Sequence, residues 1–255
     1  NNDVYGGVGA DTITSVGKSQ DIWGEDGNDT LRVAGNWNDA YGGRGDDIII
    51  GSGDGNYFHG GAGNDVINAT GNYNVHIGGD GSDEMSVSGS DNAVYGGAGA
   101  DTITSMGDNQ DIWGEDGNDA IIASGDGNSL DGGADSDTLA AAGHTNVLSG
   151  GAGDDVLVGG TGAQTFVFNM GDGWDTIVDA DGSGDVLELR GFSDDLDITA
   201  TKADDGSFLN LSFTQDGTDF GGVTIDLEHG SMIDSLRLGE GGDAIDLQSL
   251  YDSAD

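Results

Sequence analysis

The feature that most constrains the fold of this chain is an internal repeat of eighteen residues. Residues 5–29 and 95–119 are identical at 21 of 25 positions, and a whole number of repeats separates them. Short repeats of fixed length stack into solenoids, because each unit buries its apolar side chains only against its neighbours. A glycine opens each of nine successive units: Gly6, Gly24, Gly42, Gly60, Gly78, Gly96, Gly114, Gly132 and Gly150.

The first half of every unit has the pattern of a turn followed by a short strand. The turns are GGVGAD, GEDGND, GGRGDD, GGAGND, GGDGSD, GGAGAD, GEDGND, GGADSD and GGAGDD. Glycine gives such turns access to positive φ, so backbone carbonyl groups can turn toward one point. Two places after the closing aspartate stands an apolar residue that we expect to face inward: Ile13, Leu31, Ile49, Ile67, Met85, Ile103, Ile121, Leu139 and Leu157.

The second half of every unit carries an amide where the first half carries an aspartate. These amides are Gln20, Asn38, Asn56, Asn74, Asn92, Gln110, Asn128, Asn146 and Gln164. Two places later we expect a second inward column: Ile22, Ala40, Phe58, His76, Val94, Ile112, Leu130, Leu148 and Phe166. Because Asn2 fits the amide column, we expect the chain to begin inside a coil and to be part of a longer protein.

Two turns and two short strands per unit predict an all-β fold. Residues 1–168 should form a flattened right-handed parallel β-roll, a β-solenoid of 18-residue coils stacked at the strand spacing of about 4.8 Å. The period breaks after Phe168, and we expect residues 169–255 to form a small antiparallel β cap over the last coil. Its predicted strands are 208–214, 222–227 and 231–238.

The composition indicates a cation-binding protein. Aspartate and glutamate total 48 against 6 lysines and arginines, giving a formal net charge of -42. Such a chain repels nucleic acid and anionic membranes. It contains no cysteine, and no apolar run approaches the length of a membrane span. Low hydrophobicity with high net charge predicts disorder unless something neutralises the charge.

The turns resemble the RTX (repeats-in-toxin) calcium-binding nonapeptide, GGxGxDxUx, in which U is a large apolar residue. The resemblance covers residues 1 to about 168, with GGRGDD, GGAGND, GGDGSD and GGAGDD as the fullest matches. It implies calcium ions between the turns of successive coils. The implied side-chain ligands are Asp11, Asp29, Asp47, Asp65, Asp83, Asp101, Asp119, Asp137 and Asp155, and nine turns leave gaps for about eight ions along one edge.

The resemblance also implies backbone carbonyl ligands in the same turns. They come from the nine opening glycines and from Gly45, Gly63, Gly81, Gly99 and Gly153. Three turns depart from the pattern, with Glu25 and Glu115 at the second position and Asp135 at the fourth. We expect weaker calcium sites there. In the tail, Asp172, Asp175, Asp179, Asp181 and Asp185 frame one or two further calcium sites within 169–192, unless they are simply solvated turn residues.

The amide column predicts that the second edge binds no metal. An amide offers one oxygen but no charge, and it can both donate and accept hydrogen bonds. We therefore interpret the Asn and Gln residues as a hydrogen-bonded ladder that closes this edge permanently. The alternative is that the amides face solvent.

These features together predict calcium-dependent folding outside the cell. Turn aspartates stacked about 5 Å apart repel by about 1 kcal/mol per pair in water and about 3 kcal/mol at an effective dielectric of 20. Ordering the glycines adds a large entropy cost, so the calcium-free chain should be unfolded or loose. The resemblance implies a non-enzymatic, secreted, extracellular or cell-surface module, exported by type I secretion machinery through a signal in the C-terminal region.

A second hypothesis is an adhesive or carbohydrate-binding module in which calcium is only structural. The last strand residue of each coil forms an outward column, in which six of the first seven members are aromatic or histidine: Tyr5, Trp23, Tyr41, His59, Ile77, Tyr95 and Trp113. Such a column suits a cell-surface glycan or protein, but a covering segment or strand propensity explains it equally. His76 is expected to be a satisfied core residue, and His59, His144 and His229 show no zinc-like pairing. Irregular turn side chains disfavour ice binding, and no catalytic motif appears.

Overall fold

The computed structural model describes residues 3–179, 184–193, 195–227, 233–239 and 244–253, which fall into two compact units divided at Ser124 and Gly125. The first unit contains only β-strands. They are β1 (Asp3–Val8), β2 (Thr12–Val16), β3 (Asp21–Asp26), β4 (Thr30–Ala34), β5 (Asp39–Arg44), β6 (Ile48–Ser52), β7 (Tyr57–Ala62), β8 (Val66–Thr70), β9 (Val75–Asp80), β10 (Glu84–Ser88), β11 (Ala93–Ala98), β12 (Thr102–Met106), β13 (Asp111–Asp116) and β14 (Ala120–Ser124).

Two parallel sheets make up the first unit. The odd-numbered strands form one sheet and the even-numbered strands the other. Paired residues are eighteen apart throughout, as in Val4 opposite Ile22 and Ile49 opposite Ile67. The chain therefore completes one coil per sequence repeat, which confirms the predicted parallel β-solenoid.

The second unit begins with the same architecture and ends in antiparallel strands and one short helix. Its elements are β15 (Ser129–Ala134), β16 (Thr138–Ala142), β17 (Val147–Ala152), β18 (Val156–Val158), β19 (Thr165–Asn169), β20 (Gly173–Val178), β21 (Val186–Arg190), β22 (Asp197–Lys202), β23 (Phe208–Gln215), β24 (Thr218–Asp226), β25 (Ser235–Leu238), β26 (Ala244–Asp246) and α1 (Leu247–Ser253).

Parallel pairing continues beyond the last sequence repeat. β19 pairs with β17 and β21, and β20 pairs with β18 and β24, all in parallel. The predicted antiparallel strands are present, since β23 pairs antiparallel with β22 and β24, and β25 pairs antiparallel with β26. β24 and β25 each also have a parallel neighbour, β20 and β21 respectively. Within the described part of the chain, no helix has the length and apolar character needed to span a bilayer.

Both predicted inward columns are confirmed. Every member of the two columns is buried, from Ile13 at 9 % exposed to Phe166 at 0 %. A third inward column, two residues after the first, was not predicted: Ser15, Val33, Gly51, Ala69, Val87, Ser105, Ala123, Ala141 and Gly159. The two-residue period of a strand makes this column inevitable once the first faces inward.

The residues of the third column are small where the side chains of the second column are large. A Cβ atom on Gly51 would collide with the ring of Phe58, and one on Gly159 would lie 2.9 Å from the Cζ of Phe166. Each glycine thus makes room for the phenylalanine that follows seven residues later. A solenoid core only a few side chains wide can hold large rings only by such local compensation.

His76 lies in the core without a hydrogen-bond partner. Its side chain is 0 % exposed, and its ring stacks on Phe58 at 5.5 Å between centroids. Neither ring nitrogen has a partner, so the expectation of a satisfied core histidine is wrong. Burial lowers the pKa of His76 to about 4, so the ring is neutral at pH 7.

Candidate metal centre along the acidic edge

The aspartates that close the first turns form a continuous hydrogen-bonded column in the first unit. The Oδ1 atom of each accepts a hydrogen bond from the backbone N–H of the equivalent aspartate one coil earlier. These bonds measure 2.7–2.8 Å and join Asp11 to Asp29, Asp29 to Asp47, Asp47 to Asp65, Asp65 to Asp83, Asp83 to Asp101, and Asp101 to Asp119. In the second unit, the Asp137 N–H donates to Asp155 in the same way. We call this column the acidic edge.

In seven of these aspartates the second carboxylate oxygen is buried without a hydrogen-bond partner. This holds for the Oδ2 atoms of Asp29, Asp47, Asp65, Asp83, Asp101 and Asp155, in side chains only 1–2 % exposed, and for Asp11 at the end of the column. A buried carboxylate oxygen without a partner is costly unless a cation or a proton compensates it. Each of these seven turns therefore presents one buried carboxylate oxygen that a cation would compensate.

The raised pKa values of these aspartates also indicate that a cation would stabilise their charged form. Burial, reinforced by neighbouring aspartates, raises the pKa of Asp65 to about 7, against the opposing hydrogen bond from the Asp47 N–H. Burial likewise raises the pKa values of Asp47 and Asp83 to about 6. Without a cation these groups hold protons far above the ordinary aspartate range, whereas a divalent ion would favour their charged form.

In most turns the opening glycine is required because other atoms approach it closely, and not because of its φ. A Cβ atom on Gly96 would lie 2.5 Å from Oδ2 of Asp101 and 2.6 Å from the carbonyl oxygen of Gly114 in the next coil. The same two kinds of oxygen surround Gly24, Gly42, Gly60, Gly78 and Gly132. The free carboxylate oxygen and a backbone carbonyl oxygen of the next coil are therefore close neighbours.

The three turns that depart from the glycine pattern keep its conformation. The second and fourth turn positions have positive φ throughout, and Glu25, Glu115 and Asp135 adopt φ of 80°, 77° and 74° there. The departures therefore do not change the path of the backbone. They place side chains where the other turns have none.

The donor set fits calcium. No three His, Cys, Asp or Glu side chains converge as a metal-binding group among the described residues. A cation on this edge would therefore be held by one or two carboxylates and by backbone carbonyl oxygens. Oxygen-only ligation with several carbonyl groups is typical of Ca²⁺, which accepts 6–8 such ligands. Zinc sites use nitrogen or sulfur ligands instead.

The amides on the opposite edge form an equivalent column. Oδ1 of Asn74 accepts from the Asn56 N–H at 2.8 Å, and Oδ1 of Asn92 accepts from the Asn74 N–H at 2.9 Å. Nδ2 of Asn38 donates to the carbonyl oxygen of Gly17 at 3.3 Å. The alternative that the amides face solvent is wrong, because these side chains are 0–2 % exposed: Asn38, Asn56, Asn74, Asn92, Gln110, Asn128, Asn146 and Gln164.

A further column of hydrogen bonds, which the sequence analysis missed, runs along the outside of the acidic edge. Oδ1 of Asn28 accepts from the Asp46 N–H at 3.0 Å, Oδ1 of Asp46 from the Asn64 N–H at 2.9 Å, and Oδ1 of Asn64 from the Ser82 N–H at 2.9 Å. The sequence pattern that could have predicted this column is the Asn, Asp or Ser at the fifth position of many turns. These bonds tie the exposed side of each turn to the next coil.

The acidic edge continues into the tail at Asp175. The segment Gly171–Asp172–Gly173–Trp174–Asp175 repeats the turn, with positive φ at both glycines. Oδ1 of Asp175 accepts from the Asp155 N–H at 3.2 Å. Oδ2 of Asp175 is buried without a hydrogen-bond partner, and burial with the charge of Asp155 raises its pKa to about 8. An interval of twenty residues instead of eighteen hid this turn from the repeat pattern.

Of the other tail aspartates, Asp179 and Asp185 do not join this edge, and Asp172 lies within the turn that ends at Asp175. Oδ1 of Asp185 accepts from the Gln164 N–H at 2.7 Å, which places Asp185 in the amide column. Asp179 is 0 % exposed and lies against Gly159 in the core. Oδ2 of Asp172 accepts from the N–H of Asn169 at 2.6 Å. Asp181 and His229 lie outside the described residues.

The outward aromatic column is a stack of rings. Tyr5 and Trp23 lie 4.7 Å apart at 8°, Trp23 and Tyr41 5.8 Å apart at 6°, and Tyr95 and Trp113 4.6 Å apart at 7°. Each of these rings covers a face of the next, while Tyr5 at the end of its stack is 58 % exposed.

One protein family matches most of the chain. Its description is RTX calcium-binding nonapeptide repeat (4 copies), and the matched residues are 1–15, 21–35, 34–67, 41–74, 77–109, 106–139 and 141–163. These segments include the nine turns from Gly6 to Asp155, and the turn at Asp175 lies outside them. The comparison with curated proteins gives no match.

Proposed function

Because the chain belongs to the RTX calcium-binding nonapeptide repeat family, we propose that it is a calcium-dependent folding module whose ions lie along the acidic edge. The observation that carries this proposal is the column of buried Oδ2 atoms without partners, which from Asp11 to Asp101 lie beside a carbonyl oxygen of the next coil. Calcium supplies the positive charge that compensates these buried carboxylate oxygens. Asp29, Asp47, Asp65, Asp83 and Asp101 are its principal side-chain ligands, joined by carbonyl groups of the turn glycines.

The ladder of Oδ1 bonds explains how binding at one turn helps the next. Each aspartate fixes the turn before it through Oδ1 and keeps Oδ2 for the ion. An ion that orders one turn therefore orders the hydrogen-bond acceptor for its neighbour. Repeat proteins gain stability through such interfaces between neighbours, so calcium binding along the edge should be cooperative.

We infer that the amide edge binds no metal. In the first unit its amides make the same backbone hydrogen bonds as the aspartates but carry no charge. Nδ2 of Asn56, Asn74 and Asn92 is buried there without a partner, and such an atom is a donor that cannot bind a cation. The roll thus has one edge that depends on calcium and one that does not. About eight ions per chain would follow from a single metal-binding edge, with one more at Asp175.

The module is proposed to act outside the cell, after export by type I secretion machinery. Extracellular calcium modules have dissociation constants of about 10⁻⁴–10⁻³ M, which keep them empty in the cytosol and filled outside it. Repulsion within a chain of net charge -42 keeps the calcium-free form loose. The proposal assigns no catalytic residue to this chain.

Circular dichroism during a calcium titration tests the proposal. The chain in chelator should lack most of its β signal and should gain it cooperatively as calcium is added, whereas magnesium at the same concentration should have little effect. A spectrum that is already fully β-rich in chelator would overturn calcium-dependent folding. A count near sixteen ions per chain, measured by equilibrium dialysis, would overturn the metal-free amide edge.

A further inference from the structure

The outward side of one sheet carries almost no charge, although 21 % of the residues in the chain are charged. In the first unit this side consists of the first, third and fifth residues of β2, β4, β6, β8, β10, β12 and β14, and we call these positions the neutral face. Arg32 and Glu84 are the only charged residues in these seven strands, and both are exposed. The odd-numbered strands β1–β13 contain nine acidic residues and one arginine, none of them buried.

The neutral face also exposes large apolar side chains. Val16 is 79 % exposed, Met106 51 % and Ile122 54 %. A shallow depression of about 470 Å³ lies on the same face, and Ile50, Asn68 and Met106 are among the residues that line it. Interfaces between proteins are depleted of charge at their centre, and grouped apolar side chains with polar neighbours are typical of a surface that another protein covers.

The charge of the chain indicates which partner fits this face. The net formal charge of -42 makes two copies repel each other through their acidic surfaces. The neutral face is the side of the first unit on which two copies meet without bringing rows of carboxylates together. Its two charges, on Arg32 and Glu84, have opposite signs, so a second copy can pair both of them.

The places of Arg32 and Glu84 define how two copies fit together. Neighbouring strands pair residues eighteen apart, so the outward positions form straight columns across the sheet. β4 and β10 lie at equal distances from the gap between β6 and β8. A two-fold axis in that gap, parallel to the strands, sets Arg32 opposite Ser86 of the second copy. Glu84 of that copy is then about 7 Å further along the strand, within reach of the long arginine side chain.

The same axis also sets apolar residues opposite each other. It brings β2 against β12, with Val16 opposite Met106, and β6 against β8, with Ile48 opposite Val66. Each contact occurs twice, because a two-fold interface is self-complementary. Six strands of five residues cover roughly 30 Å by 16 Å, so two copies would bury on the order of 1,000 Å² in total. This area is near the lower limit for a specific interface, and we therefore expect a weak, reversible dimer.

We propose that the neutral face binds a second copy of this chain in a two-fold dimer, in which Arg32 of each copy pairs with Glu84 of the other. The dimer requires the folded roll, but neither the acidic edge nor the amide edge takes part in the contact. The inference therefore goes beyond calcium binding and assigns a surface that calcium binding does not use.

Exchanging the two charges tests the pairing. Arg32→Glu or Glu84→Arg alone brings like charges together, so each should raise the dissociation constant of the dimer about tenfold. The double variant restores opposite charges, and its dissociation constant should return to within about threefold of the parent. Within one copy the two residues are three strands, roughly 14 Å, apart, so this rescue would not arise in a monomer.

The matched control makes the same change of charge on the other sheet. Arg44 is exposed on β5, outside the neutral face, and Arg44→Glu alters the net charge as much as Arg32→Glu does. Arg44→Glu should leave the dissociation constant of the dimer unchanged. An equal weakening of the dimer by both variants would show that net charge alone controls association, and it would overturn the assignment of the neutral face.

Sedimentation velocity of the full chain in calcium, over a range of loading concentrations, measures the dimer, while circular dichroism confirms folding. A folded parent that stays monomeric at about 1 mM, or a dimer that neither single variant weakens, would overturn the proposal. A double variant as weak as the single ones would overturn the two-fold arrangement. A chain that is already folded in chelator and dimerises there would overturn calcium-dependent folding alone, whereas a chain that never folds would overturn both proposals.

Discussion

Oδ1 of Asp65 accepts a 2.7 Å hydrogen bond from the backbone N–H of Asp47, eighteen residues earlier, while Oδ2 of Asp65 is buried without a hydrogen-bond partner. On the opposite edge, Oδ1 of Asn74 accepts the equivalent bond from Asn56 at 2.8 Å. The two edges are therefore built alike. They differ in whether the second side-chain atom carries a negative charge.

Exchanging the two side chains tests this difference. Asp65→Asn keeps the Oδ1 bond and removes the charge, so we expect the calcium-bound chain to lose one or two ions and the calcium-free chain to become less disordered. The measurements are equilibrium dialysis and circular dichroism in chelator. Asn74→Asp is the matched control: it places an unpaired carboxylate in a buried site and should cost about 1–3 kcal/mol without adding a tight ion. Equal ion counts in Asp65→Asn and its parent would contradict the assignment of Asp65.

Protonation of the turn aspartates at low pH should partly replace calcium in stabilising the folded chain. Burial raises the pKa values of Asp47, Asp65 and Asp83 to about 6, 7 and 6 in the folded, calcium-free chain, from 3.8. The folded state therefore binds more protons than the unfolded state between about pH 4 and pH 7, and its stability falls as pH rises through this window. In chelator, we expect β structure to increase as pH falls from about 8 to about 4.5, measured by circular dichroism. A loss of β structure as the pH falls over that range would contradict the raised pKa values of these three aspartates.

Protonation of His76 should destabilise the folded chain, whereas protonation of the turn aspartates should stabilise it. Its pKa is lowered by burial to about 4, below the value of 6.5 for an exposed histidine, so protonation favours the unfolded chain as pH falls below about 6.5. Replacing it by leucine removes two unpaired ring nitrogens from the core. With calcium present, His76→Leu should raise the free energy of unfolding by about 1 kcal/mol at pH 7 and by more at pH 5, measured by urea titration.

The control for this change is His144→Leu, because His144 is exposed. His144→Leu should give the same urea midpoints as the parent at pH 7 and at pH 5, within experimental error. A His76→Leu chain that is less stable than the parent at both pH values would show that the ring has partners in solution.

The opening glycine of a turn should tolerate no side chain. A Cβ atom on Gly60 would collide with Oδ2 of Asp65 and lie 2.7 Å from the carbonyl oxygen of Gly78. Gly60→Ala should therefore weaken calcium binding and lower the calcium-bound melting temperature. Gly217→Ala is the control, since a Cβ atom there meets nothing within 4 Å and Gly217 lies in the turn between β23 and β24. It should cost only the strain of its positive φ and leave the ion count unchanged.

The aromatic column should contribute to stability rather than to glycan binding. Stacked aromatic pairs contribute about 0.5–1.5 kcal/mol beyond their burial, and Trp23 and Trp113 each take part in such pairs. Trp23→Ala combined with Trp113→Ala should lower the urea midpoint with calcium present and leave retention on a glycan array unchanged. A selective loss of glycan or cell binding in a fully folded double variant would instead support the adhesive hypothesis.

The repeat made the coils predictable. Because every residue from Gly6 to Phe166 has an equivalent eighteen residues away, each meets nearly the same neighbours, and burial of Ile67 or Phe58 follows from the pattern alone. The same regularity predicted one acidic and one amide edge. Where the interval changes, as between Asp155 and Asp175, pairing depends on the path of the intervening chain, and the pattern no longer predicts it.

The sequence by itself determined the period, the sheet-forming segments, both inward columns and the separation of carboxylates from amides, because all of these depend on spacing along one chain. Only the tertiary structure decided which oxygen of Asp65 is engaged and which is left for a cation. It also showed that Gly60 is needed because atoms of its own turn and of the next coil approach it closely. These facts depend on distances between atoms of different coils, which the identity of a residue does not specify.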